Sequence, residues 1–124
     1  MQCGTHNLAF LKRFDEPGKV YVATSAARRY TKIGTTSDVE TRIRSICSYG
    51  YGGATDWKVH FSVDAGAAGR VEFKAHQLLA GRRAVASYVR EGSKVDCQEL
   101  FLCSADEGVE AVNAAKKSIS AARI

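Results

Sequence analysis

Tyr21 and Lys32 lie on two neighbouring stretches, Lys19-Val20-Tyr21-Val22-Ala23-Thr24 and Arg29-Tyr30-Thr31-Lys32-Ile33-Gly34, whose β-branched and aromatic residues read as strands. The residues between them, Ser25-Ala26-Ala27-Arg28, are too few for anything but a hairpin loop. With that loop, antiparallel pairing sets Tyr21 opposite Lys32 and Val20 opposite Ile33. Directly opposed side chains stand roughly 5 Å apart at Cβ, near enough for a cation to lower the pKa of a phenol. A loop one residue longer or shorter would separate them. The functional reading of the pair is a catalytic base and its activator. The plain reading, which two residues alone favour, is an amphipathic Tyr and Lys on an exposed sheet face.

The next candidate is a carboxylate. A helix reads from about Ala65 to Ala80, capped by Asp64 and closed by Gly81, with Ala68, Val71, Ala75, Leu78 and Leu79 as its apolar residues. On a helix, i+7 returns to within roughly 20° and i−4 to within about 40°, so Glu72 shares its direction with Leu79 and Ala68 and faces protein. His76 stands one turn further along the same side. Burying a carboxylate is costly unless a cation, a metal or hydrogen bonds compensate it. Glu72 therefore reads either as a divalent-metal ligand or as half of a buried ion pair with an arginine such as Arg42. Glu72 and His76 resemble half of a zinc site, but with no third ligand in view a capped or solvated His is the better reading.

These groups need elements to carry them. After Gly34, Ser37 and Glu40 form an S-x-x-E capping box, so a helix should begin at Asp38. Its apolar stripe is Val39, Ile43, Ile46 and Cys47, with Arg42 on the stripe's edge beside Ile46 and Arg44 on the other flank. Ser48-Tyr49-Gly50-Tyr51-Gly52-Gly53 reads as a flexible loop whose aromatics either stack on bases or simply turn the chain. Trp57 to Val63 alternates, with Val59, Phe61 and Val63 on one face and Lys58, His60 and Ser62 on the other, which is a half-buried strand. Residues 82–98 read as an irregular basic segment carrying Arg82, Arg83, Arg90 and Lys94 around Val85, Tyr88 and Val89. Gln98 to Leu102 reads as a short strand or turn. Ser104 and Glu107 then form a second cap, opening a final helix with Val109, Val112 and Ile119 that runs to about Lys117 or beyond.

Composition frames the rest. A chain of 124 residues holds one hydrophobic core, read here as a single domain over residues 19–124 behind a lead-in at 1–18, where Leu8, Leu11 and Phe14 suggest a short helix before Pro17-Gly18. Apolar content of 45% and charged content of 25% are ordinary globular values. The balance of 18 Lys and Arg against 13 Asp and Glu is a weak pointer to a polyanionic partner. Cys3, Cys47, Cys97 and Cys103 include no C-x-x-C pair and have no His at zinc-site spacing, which argues against a stable zinc site and for reduced thiols. Leu8, Ala9, Phe10 and Leu11 run into Lys12 and Arg13, far short of a signal peptide or membrane span. The expectation is a soluble cytoplasmic protein with no membrane partner, and it leaves room for a homodimer or larger assembly.

The order of these residues resembles the GIY-YIG nuclease superfamily, particularly its small phage-type branch in which the second motif reads K-I-G. Lys19-Val20-Tyr21 occupies the first motif and Lys32-Ile33-Gly34 the second, and Arg42 follows Gly34 by eight residues, where the family places its helix arginine. Thr35-Thr36-Ser37 resembles the threonine-containing turn after K-I-G, Glu72 the metal-binding glutamate, and Glu99-Leu100-Phe101 the E-x-F segment. The likeness covers roughly residues 19–113. Two positions depart from it: Lys19 stands for the Gly of the first motif and Lys32 for the Tyr of the second. The asparagine that some members carry downstream has no counterpart.

The resemblance implies a small α+β domain, a three-stranded antiparallel sheet flanked by helices, that hydrolyses DNA phosphodiesters with one bound Mg²⁺ or Mn²⁺. In that picture Glu72 holds the metal, Tyr21 takes the proton of the attacking water, Arg42 clamps the scissile phosphate, and Lys32 either lowers the pKa of Tyr21 or takes over part of its work. His76, Tyr30 and Glu99 are supporting positions, and Arg28, Arg29, Arg44, Lys74, Arg82 and Arg83 are the cations left to grip phosphates. Two other classes stay open: a catalytically silent nucleic-acid-binding module of the same fold, and a structural domain that binds no nucleic acid.

Overall fold

Strand formation begins where Pro17-Gly18 releases the chain into the β-branched run that follows. A computed structural model describes residues 16–122, so the lead-in helix read around Leu8, Leu11 and Phe14 falls outside the described residues. Strand β1 (Gly18–Ser25) pairs antiparallel with β2 (Tyr30–Thr36) on one side and with β3 (Lys58–Ala65) on the other. A fourth strand, β6 (Leu100–Phe101), pairs antiparallel with β2 and completes the order β3-β1-β2-β6. The sheet is thus one strand wider than the sequence suggested, because the E-x-F segment joins its edge. Helix α1 (Val39–Tyr49) covers one face, and helices α2 (Ala68–Leu78) and α3 (Ala105–Ala122) pack together over the other.

The hairpin register differs from the expected one by two residues. Tyr21 pairs with Gly34 and Ala23 with Lys32, and Ser25, expected in the loop, pairs with Tyr30. The loop keeps four residues but is Ala26–Arg29, one position later, with Arg29 in a left-handed turn at φ 58. Asp56 fixes this choice: it accepts hydrogen bonds from Ser25 Oγ at 2.6 Å and from the Ala27 amide at 2.9 Å, which draws Ser25 into the strand. A shift of two preserves the alternation of faces, so Tyr21 and Lys32 remain on one side of the sheet as diagonal neighbours. Gly34 lies between them. A Cβ there would stand 2.8 Å from both Lys32 Nζ and Tyr21 Oη, so the absence of a side chain lets the phenol cross the strand to the ammonium.

The same alternation divides the core. Val20, Val22 and Ile33 face α2 and α3, packing with Val71, Ala75, Phe101, Val112 and Ala115. Tyr21 and Ala23 face the other way, with Ile46 of α1, Tyr51, Trp57 and Leu100. Caps and ends correct several expectations. Asp38, not Ser37, caps α1, accepting from the Thr41 amide at 3.2 Å. Strand β3 continues through Asp64 and Ala65, so α2 starts at Ala68 without a side-chain cap and ends at Leu78, before a 3₁₀ turn at Ala80–Arg82. Asp64 is instead paired with Lys19 opposite it on β1, at 2.7 Å. The capping box at Ser104 and Glu107 forms as expected, with reciprocal bonds of 3.0 and 3.1 Å.

The stretch read as irregular holds a second hairpin, β4 (Ser87–Arg90) and β5 (Ser93–Asp96). Its two-residue turn is Glu91-Gly92, both at positive φ (54 and 81). Glycine serves the second position well, but glutamate at the first hides the usual turn signature, and the strands bury too little to alternate.

Gly34→Ala is expected to lower stability by about 1–3 kcal/mol, because the added methyl meets the Tyr21 ring and the Lys32 ammonium in a packed interior. A urea denaturation midpoint unchanged from wild type would contradict the described crossing of Tyr21 over the strand.

Candidate active site

Lys32 is the centre of the constellation, a lysine only 3% exposed inside a small domain. Its ammonium donates to Tyr21 Oη at 2.6 Å and to Glu99 Oε1 at 2.5 Å. The rings of Tyr21 and Tyr51 flank it, their centres 4.9 and 4.8 Å from Nζ. Burial by itself would lower the lysine's pKa, but the charge of Glu99 and the contacts with Tyr21 outweigh it and push the value up to about 12. Lys32 is therefore a fixed cation. It cannot serve as a general base at neutral pH.

Tyr21 carries the opposite balance. Burial raises its pKa, Lys32 pulls it down by charge and hydrogen bond, and the net is a phenol above its ordinary value. The lowering by Lys32 expected from the sequence thus exists as a pull that burial exceeds. Arg42, exposed on α1, adds a smaller downward pull, so its charge reaches the phenol from the solvent side.

Two carboxylates complete the cluster, and their environments separate them. Strand β6 pairs with β2 only at Thr31 and Lys32, after which the Glu99 carbonyl accepts from the Ile33 amide at 3.1 Å. Beyond that point α2 closes the sheet edge. His76 Nε2 donates to the Ile33 carbonyl at 2.9 Å, and its ring lies 5.1 Å from that of Phe101. Burial holds His76 below the usual imidazole pKa, so it is neutral and occupied as an edge-closing donor. Glu72, one turn earlier, is 3.7 Å from His76 Nε2 and reaches Thr35 and Glu99. Burial, then the charge of Glu99 and a hydrogen bond to it, raise the Glu72 pKa well above the carboxylate range. For Glu99 burial acts upward too, but Lys32 and the bond from Glu72 prevail and lower it. Glu72 is the protonated member and Glu99 the ionised one. Glu72 Oε2 is buried with no hydrogen-bond partner.

Tyr21, Lys32, Glu72, Glu99 and His76 are therefore brought together from β1, β2, α2 and the lead into β6, with Arg42 at the rim. The ion pair with Arg42, one of the two readings of Glu72, does not form; Glu72 contacts Glu99 and Thr35 instead. Tyr30 sits half-buried against the Tyr21 side of the core. The remaining cations do not form one patch. Arg28 donates to the Gly53 carbonyl at 3.1 Å, Arg29 ends the first hairpin loop in the open, Arg44 lies near Asp38, and Lys74 is half-buried on α2. Arg82 pairs with Glu107 at 2.9 Å and with the Leu102 carbonyl at 3.0 Å. Arg83 donates to the Gln98 carbonyl at 2.8 Å and covers the Phe101 ring. These two arginines fasten the outer side of β6, where the Ala84 amide also bonds the Leu100 carbonyl at 2.9 Å and the Leu102 amide the Arg82 carbonyl at 2.7 Å.

Tyr51 is the site residue that sequence reading missed. It is buried, not mobile: its carbonyl accepts from Trp57 Nε1 at 2.9 Å, and left-handed Gly52 lets the backbone fold the ring inward over Lys32. A Gly-Tyr-Gly-Gly run has no period from which an inward direction can be read.

Among the described residues no group of three or more His, Cys, Asp or Glu could hold a metal ion. A hard divalent cation bound here would therefore take few protein ligands and complete its shell with water. The unpartnered Glu72 Oε2 is the oxygen that such an ion would satisfy.

The fold is that of a small α+β domain with an antiparallel sheet. The chain belongs to the T5orf172 domain family, a phage-associated family, which it matches over residues 18–116. Membership points to a nucleic-acid-related function. No curated protein and no solved structure matches the chain. Among the described residues no helix is long and apolar enough to cross a membrane.

The raised pKa of Glu72 has a measurable stability signature. A carboxyl whose folded pKa exceeds its unfolded value near 4.5 supports folding fully below that value, and the support is lost as pH rises through the folded value. Glu72→Gln, which keeps a donor toward Glu99, is therefore expected to be more stable than wild type in EDTA at pH 8, by on the order of 1–3 kcal/mol. The gap should shrink as pH falls toward 4.5. Thermal melts across that range check it, and equal stabilities at pH 8 would contradict the burial described.

Proposed function

We propose that the protein is a divalent-metal-dependent DNA endonuclease of the GIY-YIG type. The observation that carries the reading is the buried, unpartnered Glu72 oxygen in the same cluster as the lysine cation that aligns the Tyr21 phenol. Membership of a nuclease-associated family supports it.

On this reading each residue has one task. Glu72 gives up its proton and holds Mg²⁺ or Mn²⁺ through the oxygen that otherwise lacks a partner. Held there, such an ion would supply positive charge to offset the anion that develops on the leaving oxygen. Tyr21 accepts the proton of the attacking water at Oη, and Lys32 holds that oxygen in place while favouring its ionised form. Arg42, at the solvent rim, clamps the scissile phosphate with its N–H fork. Glu99 keeps Lys32 charged and positioned, and His76 holds the sheet edge from which Glu72 projects. Because burial keeps the Tyr21 phenol above its ordinary pKa, the rate should rise with pH through the neutral range into the alkaline.

The same raised values favour a second reading. Without a cation, Glu72 and Tyr21 both carry protons and the site is silent, which suits a module that only binds nucleic acid. Plasmid nicking with Mg²⁺ or Mn²⁺ separates the two. Wild type should nick. Glu72→Ala and Tyr21→Phe should each lose about 10²- to 10⁴-fold in rate, and Arg42→Lys about 10²-fold, since an ammonium lacks the fork. Mutants that cut as well as wild type would make the assignment wrong. Salt-sensitive binding by a wild type that never cuts would select the silent module.

A further inference from the structure

Away from Lys32, an exposed arginine is oriented by aromatic rings, with neither a carbonyl nor a carboxylate of the described residues on its N–H donors. Arg90, the last residue of β4, lies 4.2 Å from the centre of the Tyr49 ring, and Tyr49 in turn stacks on Tyr88 with centres 5.6 Å apart and planes at 25°. Arg90 is exposed, and among the described residues no carboxylate pairs with it. A guanidinium set against an aromatic face keeps its fork of N–H donors available while its rotamers are restricted, which is how an arginine is prepared for phosphate. The hairpin that presents it adds little to the core, since both strands are mostly exposed. Its shape is set by the tight Glu91-Gly92 turn. A line of rings joins it to the site: Tyr88 is 5.2 Å from Tyr51, and Tyr51 is 4.8 Å from the Lys32 ammonium.

We infer that Arg90, held by Tyr49 and Tyr88, is a second phosphate clamp, gripping a backbone phosphate of the DNA strand that flanks the scissile position. The inference rests on the proposed function for its ligand but needs no cleavage. Within the hairpin Arg90 and Lys94 are matched in number by Glu91 and Asp96, so it is the ring-held guanidinium with its free N–H fork that suits a phosphate, and only the chain's overall formal charge of +5 favours a polyanion. The clamp deepens the proposed activity by assigning the substrate a length: a stretch of strand reaching from Tyr21 to the second hairpin, not an isolated phosphodiester.

Fluorescence anisotropy with a short labelled DNA duplex of arbitrary sequence, in EDTA over a series of KCl concentrations, tests this. Arg90→Gln should bind about tenfold more weakly and reduce the slope of log affinity against log salt by about 1. Arg90→Lys should keep the slope yet lose affinity, because it keeps the charge and loses the fork. Lys94→Gln, which removes a charge from the same hairpin, should lose less than Arg90→Gln. Wild-type affinity and slope in Arg90→Gln, or an equal loss in Lys94→Gln, overturns the clamp. If wild type nicks plasmid while Arg90→Gln binds normally, the clamp fails and the nuclease reading stands. If the Arg90-dependent slope is present and wild type never nicks, the reverse holds.

Discussion

A lysine ammonium sealed inside a small domain is the constraint on which the rest depends. Water cannot solvate Lys32, so its partners must converge on one point. Glu99 comes from the lead into β6, Tyr21 crosses from β1 over Gly34, and Tyr51 folds in from the loop after α1. Tyr21 comes across one hairpin and the other two from further along the chain, so the cation ties three separate elements to β2. A charge satisfied this way resists titration and stays at one place. Both properties suit a group whose task is to align a phenol.

Much of this was legible in the residues, and the failures are as physical as the successes. Tyr21 and Lys32 shared a face in the expected register and share one in the observed register, because the error was two and strand alternation has period two. The error itself came from Asp56, thirty-one positions beyond Ser25 in the chain, and no local rule registers such a partner. Glu72 was placed on the protein side by helical periodicity alone, which held despite a misplaced start to α2. Of its two readings the ion pair with Arg42 does not form, and its contact with Glu99 went unforeseen because Glu99 leads into an edge strand only two residues long. Tyr51 and the second hairpin were unreadable for a common reason: glycines and a positive-φ glutamate direct them, and neither leaves a hydrophobic period.

The division of faces explains how one small sheet serves both packing and chemistry. The face toward α2 and α3 is filled by Val20, Val22, Ile33 and Phe101, an apolar layer that needs nothing from the site. The other face carries Tyr21 and Lys32 among Ile46, Trp57 and Leu100, so polar groups there are walled by apolar ones. Glu72 belongs by its helix to the first side and by its carboxyl to the second. Only the early end of β6 makes that passage available.

The sheet edge also governs what can join this domain. An uncovered edge strand offers a ladder of amides and carbonyls to any passing strand. Here the outer side of β6 is taken up by Arg82, Arg83 and Ala84, and the carbonyl of Ile33 by His76. On the opposite side β1 and β3 change register between Val22 and Ala23, and β3 carries Lys58, His60 and Asp64 toward solvent. The β6 edge is closed to extension by strand addition and the β3 edge is guarded by charge. Strand addition at the β6 edge would have to displace Arg82, Arg83, Ala84 and His76, so the strand pairing that builds the site is shielded from an intruding strand.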